Sequence, residues 1–111
     1  LTGLSFIRPL RVLDVAADST GAWVTRVGGT YAISTGAHGI TQRWAQNIAV
    51  AFPHIDGLRY NSRFAGAPCL ALFASAATAM PDRPQLSLPL SHPDLAGRIA
   101  GAAWRLGYSV V

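Results

Sequence analysis

Apolar and polar residues alternate through Leu10-Arg11-Val12-Leu13-Asp14-Val15, the two-residue period of a half-buried strand. Asp18-Ser19-Thr20-Gly21 makes a turn. Trp23 to Val27 is a short strand or the start of irregular structure, and Gly28-Gly29 breaks the chain before Tyr31-Ala32-Ile33. The clearest helix spans Thr41 to Phe52. There Trp44, Ile48 and Ala51 or Phe52 recur at i, i+4 and i+7 or i+8 and form one apolar stripe. Gly39 or Thr41 serves near its N-terminus, and Pro53 stops it. His54-Ile55-Asp56-Gly57 forms a turn, with Gly57 at the position that favours positive φ. Leu58 to Ser62 follows as a short strand, and Phe64 to Pro68 as a glycine-containing loop. The unbroken apolar run Cys69-Leu70-Ala71-Leu72-Phe73 predicts a strand buried on both faces.

Beyond it the pattern weakens. Pro81, Pro84 and Pro89 forbid a long helix in residues 74–91. Ser91 or His92 before Pro93 has the form of a helix cap with proline at the first helical position. Leu95, Ile99 and Ala102 or Ala103 extend a helical stripe toward Leu106, and Gly107 ends that helix. Tyr108 to Val111 predicts a final strand. The sum is an α+β fold of about four to six strands, in a small mixed or antiparallel sheet, with two main helices. No internal repeat or linker divides the chain, so one domain over residues 1–111 is expected.

Composition narrows the picture. Half of the residues are hydrophobic and 13% are charged, the reverse of a disordered chain. No apolar run approaches the ~20 residues of a membrane span. No charged and then apolar leader opens the sequence. Leu1 stands where a start methionine would, so a fragment, a processed product or a partial reading of a longer gene is expected. All nine basic residues are Arg, and all five acids are Asp. A mechanism that needs a glutamate base therefore cannot be completed by these residues alone. The net charge of +4 raises nucleic acid as a partner. The arginines are scattered, however, and direct nucleic-acid binding is not expected; Arg equally suits the phosphates of a small ligand. The single Cys69 excludes an internal disulfide and is expected as a small buried hydrophobe. His38, His54 and His92 lack the short spacing of a ligand pair, so no metal site is expected. A reducing, cytoplasmic setting and no membrane partner fit this inventory.

Candidate chemistry concentrates in Asp56-Gly57-Leu58-Arg59-Tyr60-Asn61-Ser62-Arg63. In an extended segment Leu58, Tyr60 and Ser62 face one way, and Arg59, Asn61 and Arg63 the other. Tyr60 and Ser62 then offer an aromatic surface beside a hydroxyl, which suits a planar ring with a polar substituent. The plainer alternative is a strand end with a solvated arginine face and a turn-capping serine.

Three segments in order, Ile40-Thr41-Gln42-Arg43-Trp44-Ala45-Gln46-Asn47-Ile48, the run from Asp56 to Arg63, and Cys69 to Phe73, resemble the RES domain. This is the toxin component of bacterial RES–Xre toxin–antitoxin systems. The resemblance covers most of the chain and matches the C-terminal two-thirds of such a domain. It implies a fold similar to the ADP-ribosyltransferase toxins. It also implies NAD⁺ as substrate, with no other cofactor, cleaved between nicotinamide and ribose, with water or phosphate as acceptor. An Xre-like antitoxin is the implied protein partner. Ser62 matches the family serine and is the catalytic candidate, better suited to positioning substrate than to nucleophilic attack. Tyr60 and Arg63 match its surroundings as substrate-binding residues. The family arginine and glutamate belong to a segment upstream of Leu10 to Val15 and have no counterpart here, so very low activity is expected. Two other readings are an inactive RES remnant that binds an antitoxin and an unrelated small ligand-binding domain.

Overall fold

The computed structural model describes residues 1–30 and 32–109. They form an α+β fold whose residues cluster into two compact units, residues 6–80 and residues 1–5 with the stretch from Pro81 onward.

The larger unit holds a three-stranded sheet with β2 (Val12–Asp14) and β4 (Pro68–Leu72) flanking β3 (Gly57–Asn61); β1 (Thr2–Gly3) belongs to the other unit. β2 runs parallel to β3, pairing Leu13 with Leu58 and Asp14 with Arg59. A parallel pair requires a long crossover. Here it carries three helices: α1 (Trp23–Arg26), α2 (Ala32–Thr35) and α3 (His38–Ala51). β4 returns antiparallel to β3, with Tyr60 opposite Cys69. Alternation along the strands divides the sheet. Leu13, Leu58, Tyr60 and Ala71 pack with Trp44, Ala45 and Ile48 of α3 around a centre of Val15, Ile48 and Leu58. The opposite face bears Asp14, Arg59 and Asn61. There the Arg59 guanidinium bonds both Asp14 and Asp18 at 3.0–3.1 Å, while Asn61 Oδ1 accepts from the Ala17 N–H at 3.1 Å.

Several local expectations change. Trp23–Arg26 is a helical turn, neither the short strand nor the irregular start expected over Trp23 to Val27. Ala22 lies in the left-handed region at φ 46°, which turns the chain, and Trp23 packs edge-to-face on Phe52 at 6.4 Å between ring centroids. Tertiary packing of that ring outweighs the local β preference. α3 begins at His38, three residues before the expected Thr41, with Ala37 as its cap. Its stripe is as expected at Trp44, Ile48 and Phe52, which join the core cluster, whereas Ala51 is exposed.

Gly57 does not turn the chain. Positive φ occurs at Gly28, Gly66 and Gly107, and Gly57 is the first residue of β3. Glycine is needed there because a Cβ would collide with the Ala71 carbonyl oxygen of β4. β4 is an edge strand rather than one buried on both faces. Cys69 and Ala71 are half-buried, while Leu70 and Leu72 are exposed on the outer face. Pro68 opens it, a position where a missing N–H disrupts no ladder interior.

The Asp56 carboxylate organises the other end of this unit. Its Oδ1 and Oδ2 accept from the two terminal nitrogens of Arg8 at 2.8 and 2.9 Å. Oδ2 also accepts from the Arg11 N–H at 2.8 Å. The same guanidinium reaches the Ser75 carbonyl and Thr78 Oγ1 of a 3₁₀ helix, Ala74–Ala79. These bonds hold the Asp56 carboxyl well below the ordinary carboxylate range, with the Arg8 hydrogen bonds the largest cause.

In the smaller unit β1 pairs antiparallel with β5 (Leu86–Ser87). His92 caps the turn Pro93–Leu95, its Nδ1 accepting the Asp94 N–H at 3.3 Å, and α4 (Ala96–Arg105) continues from it. Leu95 is buried and Ile99 half-buried, as the stripe predicts. Gly107, at φ 75°, ends α4. Its N–H bonds the Trp104 carbonyl and that of Tyr108 the Ala103 carbonyl, a paired C-terminal cap. Gly107→Ala puts a Cβ into the left-handed region and is expected to cost about 1 kcal/mol, measurable by urea denaturation. Tyr108 and Ser109 form no strand, and Val110 and Val111 lie outside the described residues. Among the described residues no helix is long and apolar enough to cross a membrane.

Candidate functional site

A cavity of about 470 Å³ lies between the helices and the inner face of the sheet in the larger unit. That size suits a small organic ligand. One wall is α2 and α3, contributing Ile33, Ser34, His38, Thr41, Gln42 and Ala45. The other is β3, β4 and the loop between them, contributing Tyr60, Ser62, Arg63, Phe64, Cys69 and Ala71. Val15, Ile48 and Leu58, the buried core cluster, close the inner end. His38, Gln42, Arg63 and Phe64 are exposed and mark the outer rim. An apolar interior with a polar rim accommodates a ring inside and charged groups outside.

The three residues singled out from sequence come together here. Tyr60 and Ser62 share the cavity face, as alternation requires. Strict alternation puts Arg63 on the opposite face, yet it also lines the cavity, because β3 ends at Asn61 and the chain turns. The turn is tight: the Ser62 N–H bonds the Ala67 carbonyl, the Gly66 N–H bonds the Ser62 carbonyl, and Gly66 has φ 64°. Ser62 Oγ accepts from the Phe64 N–H at 3.2 Å, which leaves its own proton to donate. The Arg63 guanidinium crosses to the helical wall and donates to the Gly36 carbonyl at 2.7 Å.

Arg59 and Asp56, in the same sequence run, are elsewhere. Arg59 is clasped by Asp14 and Asp18 on the outer face, and Asp56 is bound to Arg8. No aspartate lines the cavity among the described residues. Cys69 is half-buried and lines the cavity, so it is less enclosed than expected.

Ser34, His38 and Gln42 also line the cavity, beyond the residues expected from sequence. His38 and Gln42 are one helical turn apart and their side-chain nitrogens lie 3.1 Å from each other. The signal was present: positions 38, 42, 45 and 48 make a helical stripe, visible once α3 starts at His38.

No curated protein and no solved structure matches the chain at a significant level. Residues 2–91 match the RES domain, which covers the sheet, the cavity and the Tyr60–Arg63 corner, and the chain belongs to the RES domain family.

Proposed function

We propose that the cavity takes NAD⁺ and that the chain acts, as a RES-type toxin, on the bond between nicotinamide and its ribose. The observation that supports this is the convergence of Tyr60, Ser62 and Arg63 on one cavity with an apolar inner end. The flat nicotinamide suits that end beside the Tyr60 ring. The Ser62 proton suits a ribose hydroxyl or the ring amide. Arg63 bonds Gly36 through a single nitrogen, and its remaining N–H groups suit the pyrophosphate.

In this reaction the carbon–nitrogen bond breaks, its electron pair leaves with nicotinamide, and positive charge develops on the ribose. Water or phosphate then bonds the same carbon; water loses its proton in doing so. A carboxylate beside the sugar would stabilise that charge. The sequence holds no glutamate, and no aspartate lines the cavity among the described residues. On this reading the chain supplies the serine-bearing wall, as the C-terminal two-thirds of a RES domain, and an arginine and a glutamate come from polypeptide beyond these residues. An Xre-like antitoxin is the partner that neutralises it.

The missing carboxylate specifically favours a second reading. The chain is then a catalytically silent RES module that keeps the cavity and binds an antitoxin. Nicotinamide release from NAD⁺, with and without phosphate, separates the two. Ser62→Ala is expected to lower any turnover roughly 100-fold through lost positioning. Turnover by these 111 residues that survives the substitution removes Ser62 from the mechanism. NAD⁺ binding without turnover favours the silent module.

A further inference from the structure

We propose that Ser34 is a ligand-positioning residue of this cavity, its hydroxyl taking the one polar substituent of a flat aromatic ring held beside Tyr60. The inference rests on the NAD⁺ reading, under which the ring is nicotinamide and the substituent its carboxamide.

Ser34 Oγ is buried, and among the described residues it is the one buried side-chain polar atom without a hydrogen-bond partner. A buried hydroxyl in that condition is unfavourable, because it has lost water and gained nothing. Such an atom indicates an absent partner when it borders a cavity, and Ser34 lines this one. Its surroundings define the partner. Val15, Ile33, Ile48 and Leu58 offer only hydrocarbon, so they suit the flat face of a ring and leave its polar substituent to another group. Ser62 already accepts the Phe64 N–H, and Arg63 holds the Gly36 carbonyl at the rim. Ser34 is therefore the polar group of the helical wall with its full capacity to donate and accept. A carboxamide both donates and accepts, as a hydroxyl does. Rotation of the serine side chain between staggered positions is sufficient to meet it, with no backbone movement.

The test titrates the wild-type chain and Ser34→Ala calorimetrically with NAD⁺, nicotinamide and ADP-ribose, and records thermal unfolding of both without ligand. The substitution is expected to weaken NAD⁺ and nicotinamide about tenfold and to leave ADP-ribose, which lacks the ring, within about twofold. The unliganded variant is expected to melt no lower than wild type, since the hydroxyl it loses had no partner. Unchanged nicotinamide affinity overturns the role of Ser34 and leaves the NAD⁺ reading in place. Equal losses on all three probes, or a lower melting temperature without ligand, make Ser34 a structural residue and overturn the proposal. A folded wild-type chain that binds neither NAD⁺ nor nicotinamide overturns the NAD⁺ reading and this inference together.

Discussion

Asp56→Asn is expected to lower the melting temperature by roughly 10 °C or more. The carboxylate is 4% exposed and receives three hydrogen bonds, two from Arg8 and one from the Arg11 N–H. An amide keeps the shape but removes the charge, and one of its two ends cannot accept. Arg8 is then left facing a donor, and the attachment of residues 8–11 to the 3₁₀ helix loosens. Breaking a pair from one side is more damaging than its net contribution, because the remaining charge loses its compensation. The same carboxylate sets an acid limit. Its folded-state pKa lies below the unfolded value of about 3.9, so its stabilisation is complete above the unfolded pKa. It is lost as pH falls below about 4 toward the lower folded value. Thermal scans between about pH 6 and pH 2 should show a falling melting temperature in wild type and a shallower fall in Asp56→Asn.

Gly57→Ala is expected to be as damaging by a different route, destabilising by about 3 kcal/mol or more in urea denaturation. The added Cβ meets backbone atoms of Ala71 and Leu72, which cannot turn away as a flexible side chain could. The β3–β4 ladder must open or shift, and Tyr60 and Cys69 move with it. Gly39→Ala is the control. Its Cβ meets nothing within 4 Å, and alanine is the better helix former, so stability should not fall. Equal losses for both variants would show that the close approach of β4 is not what selects glycine at position 57.

The legible parts of this chain are those where local chemistry and packing agree. Pro93, the Leu95–Ile99 stripe and Gly107 mark this element correctly, although Pro93–Leu95 is a 3₁₀ turn and α4 proper begins at Ala96. The alternation Leu58, Tyr60, Ser62 was enough to place the aromatic and the hydroxyl on one face. The misreadings share a cause, which is that the deciding partner is distant in sequence. Trp23 is helical because Phe52 receives its ring. Gly57 is required by the close approach of the Ala71 backbone, not by a turn. β4 has the composition of a central strand but stands at an edge, and nothing within five apolar residues encodes that. Asp56 and Arg59 sat in the most chemically rich run and hold the fold together instead, because Arg8, Asp14 and Asp18 claim them. The helical wall of the cavity is legible only with the first turn of α3, which starts at His38.

The order in which the sheet can assemble follows from its connectivity. β3 and β4 are joined by a tight loop, and α3 needs only its own residues to form. β2 must instead find β3 across a separation of 45 positions, as Asp14 and Arg59 stand. Closing that longer loop is roughly 1.6 kcal/mol less favourable than closing the hairpin, a difference that slows the search rather than preventing it. Val15 follows β2 directly and closes the inner end of the cavity. The hairpin and α3 can therefore meet early as an open cleft, and a finished pocket arrives only with the last strand to dock.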